Sequence, residues 1–525
     1  MRPLIADVPA TFNAAVFFVD RHVHEGHGAR TAFRSRGRSV TCADVADRVN
    51  RCGNAWLDLG VEIENRVLIV LHDTPDFAAA FWGAIKIGAV AVPVNTTLDA
   101  PEYEFLLNDS RAKVAVVQDE VAPAILAVRE RCPYLRHVVV AGKGTRGTKS
   151  FDRLLGAAAP SLQPAPTTRD DAAYWGYTSG STGRPKAAVH LHRHFVHAAD
   201  LVGVQTFGLG PDDVIFSASK LYFPFGLGNS LYFPARVGAV SILVPERVEP
   251  ERALEVISTE RPTVFFAVPT LYARMLQLED AERRYDLSSL RLCVSSGEAL
   301  PPVIFHAWKA RFGHELIDVL GSTEVLHDFI ANRPGQVRPG AAGRVIPGYE
   351  ARLVDDLGNP VLPGSVGHLL IKGETTAPYY WNRYERTKAA MLGEWFKTGD
   401  MCYEDSDGYF HFCGRSDDML KVGGMWVSPL EVETQLMEHP AVLEAGVIGR
   451  RDGDGLVKPH AFVVLKPGRL ASEDLETELR EVVRHRLAGY KAPRWVEFVA
   501  DLPKTSTGKI QRFRLRSGSI ASTSS

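Results

Sequence analysis

Short apolar runs alternate with helix-like stretches along most of this chain, and that alternation restricts the possible folds more than any other feature. VLIVL (67–71) is followed by DFAAAFWGAIKIG, and VAVVQ (114–118) by AILAVRERC. VFFAV (264–268) is followed by TLYARMLQL, and LRLCVSSG (290–297) by PPVIFHAWKARFG. Strands that are apolar on both faces, each leading into a helix, predict α/β layers with parallel sheets. Pro301 suits the start of its helix, where a missing N–H costs nothing.

The texture changes twice. After about residue 340, PGYEARLVDDLGNPVLPGSVGHLLIKG reads as short strands joined by Gly/Pro turns. Near Gly414 a hairpin-like stretch begins, then the helical PLEVETQLMEHP, the strands AGVIG and AFVVL, and the helix DLETELREVVRHRL. The reading is a large N-terminal domain over 1–413 with a small β-rich subdomain at about 340–413, and a short charged hinge at 414–417. A smaller α+β domain follows at 418–516, then a disordered tail at 517–525. GKGTRGTKS (142–150) reads as a surface loop.

Composition excludes several classes of function. A formal net charge of −2 gives no global pull toward nucleic acid or an anionic membrane. The six cysteines form no CxxC, which predicts reduced thiols and a cytoplasmic protein. The histidines show no zinc-ligand spacing. The longest apolar segment, from Phe77, is broken by Gly83, Lys86, Gly88 and Pro93, so no membrane span is expected. The N-terminus lacks the apolar stretch of a signal peptide.

The sharpest motif is YTSGSTGRPK, Tyr177 to Lys186. It follows the strand-like AAYWGY and precedes the helix-like HRHFVHAAD. Gly180 and Gly183 let backbone N–H groups converge on an anion, Ser179, Ser181 and Thr182 add hydroxyl donors, and Lys186 adds charge. The Walker spacing is absent, and no kinase motif is present. A bare GSTG could be an ordinary loop; the full string resembles the signature of the adenylate-forming superfamily of acyl- and aryl-CoA ligases, luciferases and peptide-synthetase adenylation domains.

Five further motifs resemble that family in order. SSGEALP (295–301) resembles the adenine-contacting turn, and GSTE (321–324) the phosphate and metal motif. WFKTGD (395–400) resembles the ribose motif, GRSDDMLKVGGMWVSPLEVE (414–433) the hinge and thiol tunnel, and LPKTSTGKIQR (502–512) the catalytic-lysine loop. The resemblance implies nucleotide contacts from Thr178, Ser179, Gly180, Ser181, Thr182, Gly183, Ser296, Gly297 and Glu298. It adds Asp318, Val319, Leu320, Ser322, Thr323, Asp400 and Arg415. Glu324 would hold Mg²⁺, and Lys186, Thr323, Glu324 and Lys509 would be catalytic. Asp417 would be the pivot on which the small domain rotates, and Lys421, Gly423, Gly424 and Trp426 would line the coenzyme A tunnel. Such chemistry needs cations and donors more than a base, because a carboxylate attacks an anionic phosphate of ATP. Two positions depart from the pattern: Ala187 stands where the family usually has Gly, and Leu320 where it often has an aromatic residue.

KLYFPFGLGNSLYFP (220–234) and GSTEVLHDF (321–329) resemble the benzoate and hydroxybenzoate CoA ligases. That resemblance places Pro224, Phe225, Ser296, Gly321, His327 and Asp328 around an aromatic carboxylic acid, with Gly321 letting a flat ring pass the backbone. Ser296 and Asp328 suggest an amino or hydroxy substituent, with anthranilate the first choice. The alternative is that Asp328 bonds an arginine or a backbone N–H and never meets the substrate. The implied reaction consumes ATP and coenzyme A, forms an aryl-AMP, and releases AMP and pyrophosphate. Its rivals are activation of cinnamate or a medium-chain fatty acid, loading of a carrier-protein thiol, and a luciferase-like enzyme that stops at the adenylate. A catalytically silent binding protein would show losses at Lys186, Glu324 or Lys509, and none is lost. The expected state is a monomer or homodimer.

Overall fold

A computed structural model describes residues 7–178, 184–423, 425–504 and 510–516. Ser179, Gly180, Ser181, Thr182, Gly183, Gly424, Lys509 and the tail 517–525 lie outside the described residues.

Two large sheets form the N-terminal domain. The seven-stranded sheet runs, in spatial order, Lys149–Ser150, His137–Ala141, Val114–Gln118, Arg66–Val70, Val90–Pro93, Ala172–Thr178 and Lys186–Leu191. All its neighbours are parallel except the last pair. The nine-stranded sheet has a parallel centre, Leu243 back through Val240 beside Val214–Ser217, then Val264–Ala267, Leu292–Ser295 and Leu316–Gly321. Antiparallel strands close its two edges.

Between the sheets lies the helix Pro75–Lys86. Every residue from Phe77 to Lys86 is buried, as a helix apolar on all sides requires. Phe81 and Trp82 pack on Phe195, and Trp82 stacks on Phe18 at 5.4 Å. Lys86, the last residue of this helix, is 2% exposed. Its ammonium reaches Asp20 Oδ2 at 2.6 Å and Asn50 Oδ1 at 2.5 Å, so the buried charge is paired and hydrogen-bonded. Two further apolar clusters, under Leu106 and Ile125 on one side and Ile257 and Trp308 on the other, cover the outer faces.

A five-stranded antiparallel sheet spans Glu350–Arg415. Arg344–Val345, inside the expected β-rich stretch, pairs instead with Asp328–Ala331 of the nine-stranded sheet. Beyond it, Val442–Arg451 and Val457–Leu465 pair antiparallel, and Trp495–Phe498 adds a parallel strand. The helices Pro429–Met437 and Glu473–Arg486 pack on this small sheet around Val432, Leu436, Leu479 and Val483.

Some local details go beyond or differ from the expectation. The phosphate-loop motif follows the strand Ala172–Thr178 and precedes the helix His192–Ala198 as expected, but a strand not foreseen, Lys186–Leu191, stands between them and pairs back on the first. The GKGTRGTKS stretch ends in a short edge strand, Lys149–Ser150. Pro301 is the residue before the helix, and Pro302 takes its first position.

Candidate active site

The carboxyl ends of neighbouring parallel strands are where open α/β sheets bind ligands. Leu292–Ser295 and Leu316–Gly321 are such neighbours, and SSGEALP and GSTE leave the sheet from their ends. The Ala172–Thr178 and Lys186–Leu191 hairpin delivers Thr178 and Lys186 to the same place from the other sheet. Gly176 allows the approach: a Cβ there would stand 2.6 Å from Thr323 Cγ2.

Glu324 lies in the short turn Thr323–Val325 and is 7% exposed. Lys186 Nζ is 3.3 Å from its Oε1, and the Tyr380 hydroxyl donates to the same oxygen at 2.6 Å. Burial works against the charge on Glu324, but Lys186 and the tyrosine outweigh it and hold the carboxyl below its ordinary range. Lys186 is pushed down by its own burial, with Glu324 opposing. The turn is fixed from behind. His190, fully buried, places Nε2 2.8 Å from Thr323 O. Burial lowers its pKa to about 4, so the ring is neutral and donates that N–H to the carbonyl. Leu326 closes the turn at φ +67°, an unusual conformation for a buried leucine that joins Glu324 to His327 and Asp328.

The acid end lies beyond this turn. Phe225, next to Pro224 at the start of the helix Pro224–Leu227, packs against His327 with centroids 5.5 Å apart. Phe233 covers the other part of the His327 ring at 4.5 Å. A Cβ on Gly228 would stand 2.4 Å from that ring, so glycine is required there. Ser296 Oγ lies 3.2 Å from Asp328 Oδ1 and 3.4 Å from Val319 O. Among the described residues, the hydrogen bond to the Asp328 carboxylate comes from this serine hydroxyl. Gly321 is needed for a closer reason than a passing ring: its Cβ would stand 2.5 Å from Asp328 Oδ1 and 2.7 Å from His327 O. Leu320 is half-buried and packs on the apolar core.

Among the described residues, Asp318 Oδ1, Ser322 Oγ, His327 Nδ1 and Asp328 Oδ2 are buried around this space without a hydrogen-bond partner. Native interiors seldom leave such groups unsatisfied, so they fit a ligand. Asp318 is raised well above the ordinary carboxylate range by burial, although Leu300 N donates to its other oxygen at 3.3 Å. Gly297 holds the adenine turn at φ +95°, and Thr270 Oγ1 donates to Glu298 at 3.0 Å.

In the WFKTGD motif, Asp400 is 4% exposed and accepts from Arg415 Nη1 at 2.8 Å. The same nitrogen donates to Thr398 O. Arg415 is raised by Asp400 first, with Glu324 and Asp417 adding to it. The hairpin of Leu420–Val422 and Met425–Val427 stands apart: Met425 and Trp426 are exposed, and Lys421 Nζ lies 5.3 Å from the Trp426 ring.

Among the described residues no three His, Cys, Asp or Glu side chains stand together as a metal cage. A divalent ion beside Glu324 would take its remaining oxygens from phosphate and water, which suits Mg²⁺. Bound there, the ion would neutralise charge on the phosphates.

The sequence reading gave no role to two residues of this site, Tyr380 and His190. Arg512, the last residue of the LPKTSTGKIQR motif, grips buried Glu433 with Nη2 at 2.7 and 2.8 Å. It follows residues 505–509 in the chain.

Residues 19–381 match the AMP-binding enzyme family, and residues 431–509 match the AMP-binding enzyme C-terminal domain. The chain is 46% identical to a benzoate–CoA ligase of Thauera aromatica, over 98% of both chains. It is 44% identical to a 4-hydroxybenzoate–CoA/benzoate–CoA ligase of Rhodopseudomonas palustris, over 96% of this chain and 94% of that one. The crystal structure of an anthranilate CoA ligase in complex with anthranoyl-AMP superposes with a TM-score of 0.94 at 44% identity, covering 98% of both. The chain belongs to the AMP-binding enzyme family, and within it to the ATP-dependent, AMP-forming aryl acid–CoA ligases.

Proposed function

We propose that the favoured acid is a benzoate carrying a hydrogen-bond donor on its ring, anthranilate first. Asp328 carries this reading. It is 2% exposed, and its Oδ2 has no hydrogen-bond partner. His327 Nδ1 lies 2.9 Å from that oxygen, but the ring is not turned to bond it. The other ring nitrogen, Nε2, faces the Phe225 carbonyl at 3.4 Å. A proton on Nε2 leaves Nδ1 as a second bare acceptor beside Oδ2. A phenolic O–H or an aniline N–H₂ would serve such a pair, while a bare ring would leave it unsatisfied. The aniline nitrogen is neutral, so the contact is a charge-assisted hydrogen bond. The named relatives, acting on benzoate, 4-hydroxybenzoate and anthranilate, support an acid of this class.

The division of labour follows the motifs. Lys509 serves adenylation, Asp417 is the pivot, and Lys421, Gly423, Gly424 and Trp426 line the thiol path in the second half-reaction. Six buried, unpaired cysteines support a reducing, cytoplasmic setting. The enzyme acts as a monomer or homodimer.

The test is pyrophosphate release from benzoate, its amino and hydroxy isomers, cinnamate and octanoate, with and without CoA. Amino- or hydroxybenzoate should exceed benzoate in kcat/KM by at least about tenfold, since sites built for a polar group reject analogues lacking it. Asp328→Ile should lose that preference and gain on benzoate. If wild type prefers benzoate, or the variant keeps the ranking, the carboxylate is structural.

A further inference from the structure

The phosphate end of the site is tied together by a side chain outside every motif above. Residues 377–381 run along the strand Lys186–Leu191: Val189 N donates to Tyr379 O at 3.1 Å, Trp381 N to Ala187 O at 2.9 Å, and Ala188 bridges Tyr380. The same segment reaches the metal motif, where Ala377 N donates to Glu324 O at 2.7 Å. Tyr380, 2% exposed, is thereby set between the two charged groups of the site. Lys186 Nζ is 2.7 Å from its hydroxyl oxygen and 3.8 Å from its ring centroid, and that hydroxyl is 2.6 Å from Glu324 Oε1. Arg386 and Arg415 lie within electrostatic reach of the same phenol.

These bonds have one possible direction. An ammonium only donates, an ionised carboxylate only accepts, and a phenol does both. Lys186 therefore donates to Tyr380, and Tyr380 donates to Glu324. Without the hydroxyl, the one side-chain group in contact with Glu324 Oε1 among the described residues would be Lys186, a cation that the ATP phosphates compete for.

We infer that Tyr380 is a positioning residue of the adenylation half-reaction, fixing the Glu324 carboxylate for Mg²⁺ and releasing Lys186 to the ATP phosphates. The hydroxyl stays on Glu324 Oε1 whichever cation the carboxylate faces. It stands in for the lysine's contribution when the ammonium turns to phosphate.

Tyr380→Phe tests this, because it keeps the ring under Lys186 and the packing on Ala188 and Ala377. Aryl acid-dependent ATP–pyrophosphate exchange should fall about 10- to 100-fold, the loss expected for one hydrogen bond to a buried charge. The Mg²⁺ concentration for half-maximal exchange should rise. Calorimetric binding of ATP without acid should weaken about tenfold in Mg²⁺ and by less in EDTA, where only the release of Lys186 is impaired. Thioester formation from pre-made benzoyl-AMP and CoA should stay within about twofold of wild type, since Lys186 and Glu324 serve the phosphates. Exchange like wild type, equal loss in both half-reactions, or unaltered Mg²⁺-dependent ATP binding would each overturn the assignment. Wild-type exchange with benzoate and with anthranilate, run alongside, keeps this result separate from the substrate reading.

Discussion

Removing the Arg512 guanidinium should unfold the C-terminal domain before it disturbs the large one. Glu433 is 2% exposed, accepts both contacts from Arg512 Nη2, and takes Val447 N–H at 2.7 Å. In Arg512→Ala the carboxylate keeps one backbone donor and loses its counter-charge in a site where water cannot replace it. Breaking a buried pair from one side costs about 3–5 kcal/mol. A domain of this size holds roughly 5–15 kcal/mol in total, and each kcal/mol moves its midpoint by about 4–8 °C. The C-terminal transition should therefore fall by at least about 12 °C in calorimetry, while the larger transition stays put. Glu433→Leu in the Arg512→Ala background should recover much of the loss, because the uncompensated charge is then gone. The double variant should nonetheless stay impaired in adenylation, since Arg512 anchors the chain three residues after Lys509. An Arg512→Ala protein with an unshifted C-terminal transition would refute the reasoning.

The remaining predictions are shorter. Lys509→Ala should nearly abolish aryl-AMP formation and still convert pre-made aryl-AMP and CoA to thioester; equal loss of both would sink that division. Asp417→Pro, which fixes φ near −65°, should spare adenylation and slow thioester formation in single-turnover assays. Asp20→Ala should cost about 3–5 kcal/mol by stranding Lys86, whereas Lys86→Met with Asp20→Leu should be neutral or better in urea titration. His190 and His192 are both lowered by burial from 6.5 to about 4. Unfolded imidazoles bind protons first, so the stability these residues lend is complete above pH 6.5 and drains away as pH falls toward 4. The denaturation midpoint of the large domain should drop over that window, and His190→Asn should flatten the drop.

The strands, though not their order, were readable where each was buried on both faces. VAVVQ occupies Val114–Gln118, with its first four residues buried. KAAVHL was harder, because its polar ends and a histidine hide a strand that exists through pairing with Ala172–Thr178. WVEF, Trp495–Phe498, is likewise defined by a parallel partner, Val457–Leu465. The site residues divide the same way. Glycines, hydroxyls and charges in a tight string announce phosphate chemistry, and Glu324 and Lys186 do stand 3.3 Å apart. Tyr380 sits in PYYW, a run that reads as core, and meets Lys186 across 194 residues of sequence. His190 acts through a carbonyl 133 residues away. No local pattern encodes either contact, since both depend on which strands become neighbours.

Lys86 and Lys186 show how structure separates a ligand-handling charge from a packing one. Both lie in strongly apolar surroundings, and both face a carboxylate. Lys86 has a side chain 2% exposed and reaches Asp20 at 2.6 Å, with Asn50 completing its bonds. Nothing from solvent can enter that pair, and its role ends with the fold. Lys186 keeps 24% of its side chain exposed and stands 3.3 Å from Glu324, a looser pair shared with a tyrosine. A cation so placed meets the desolvation cost of the site only in part, and burial lowers its pKa while the carboxylate opposes. An arriving polyphosphate offers it several anionic oxygens at once, against one carboxylate and one phenol in the empty site. The exchange is favourable only if Glu324 is not then left alone, and the Tyr380 hydroxyl is the group already in contact that prevents it.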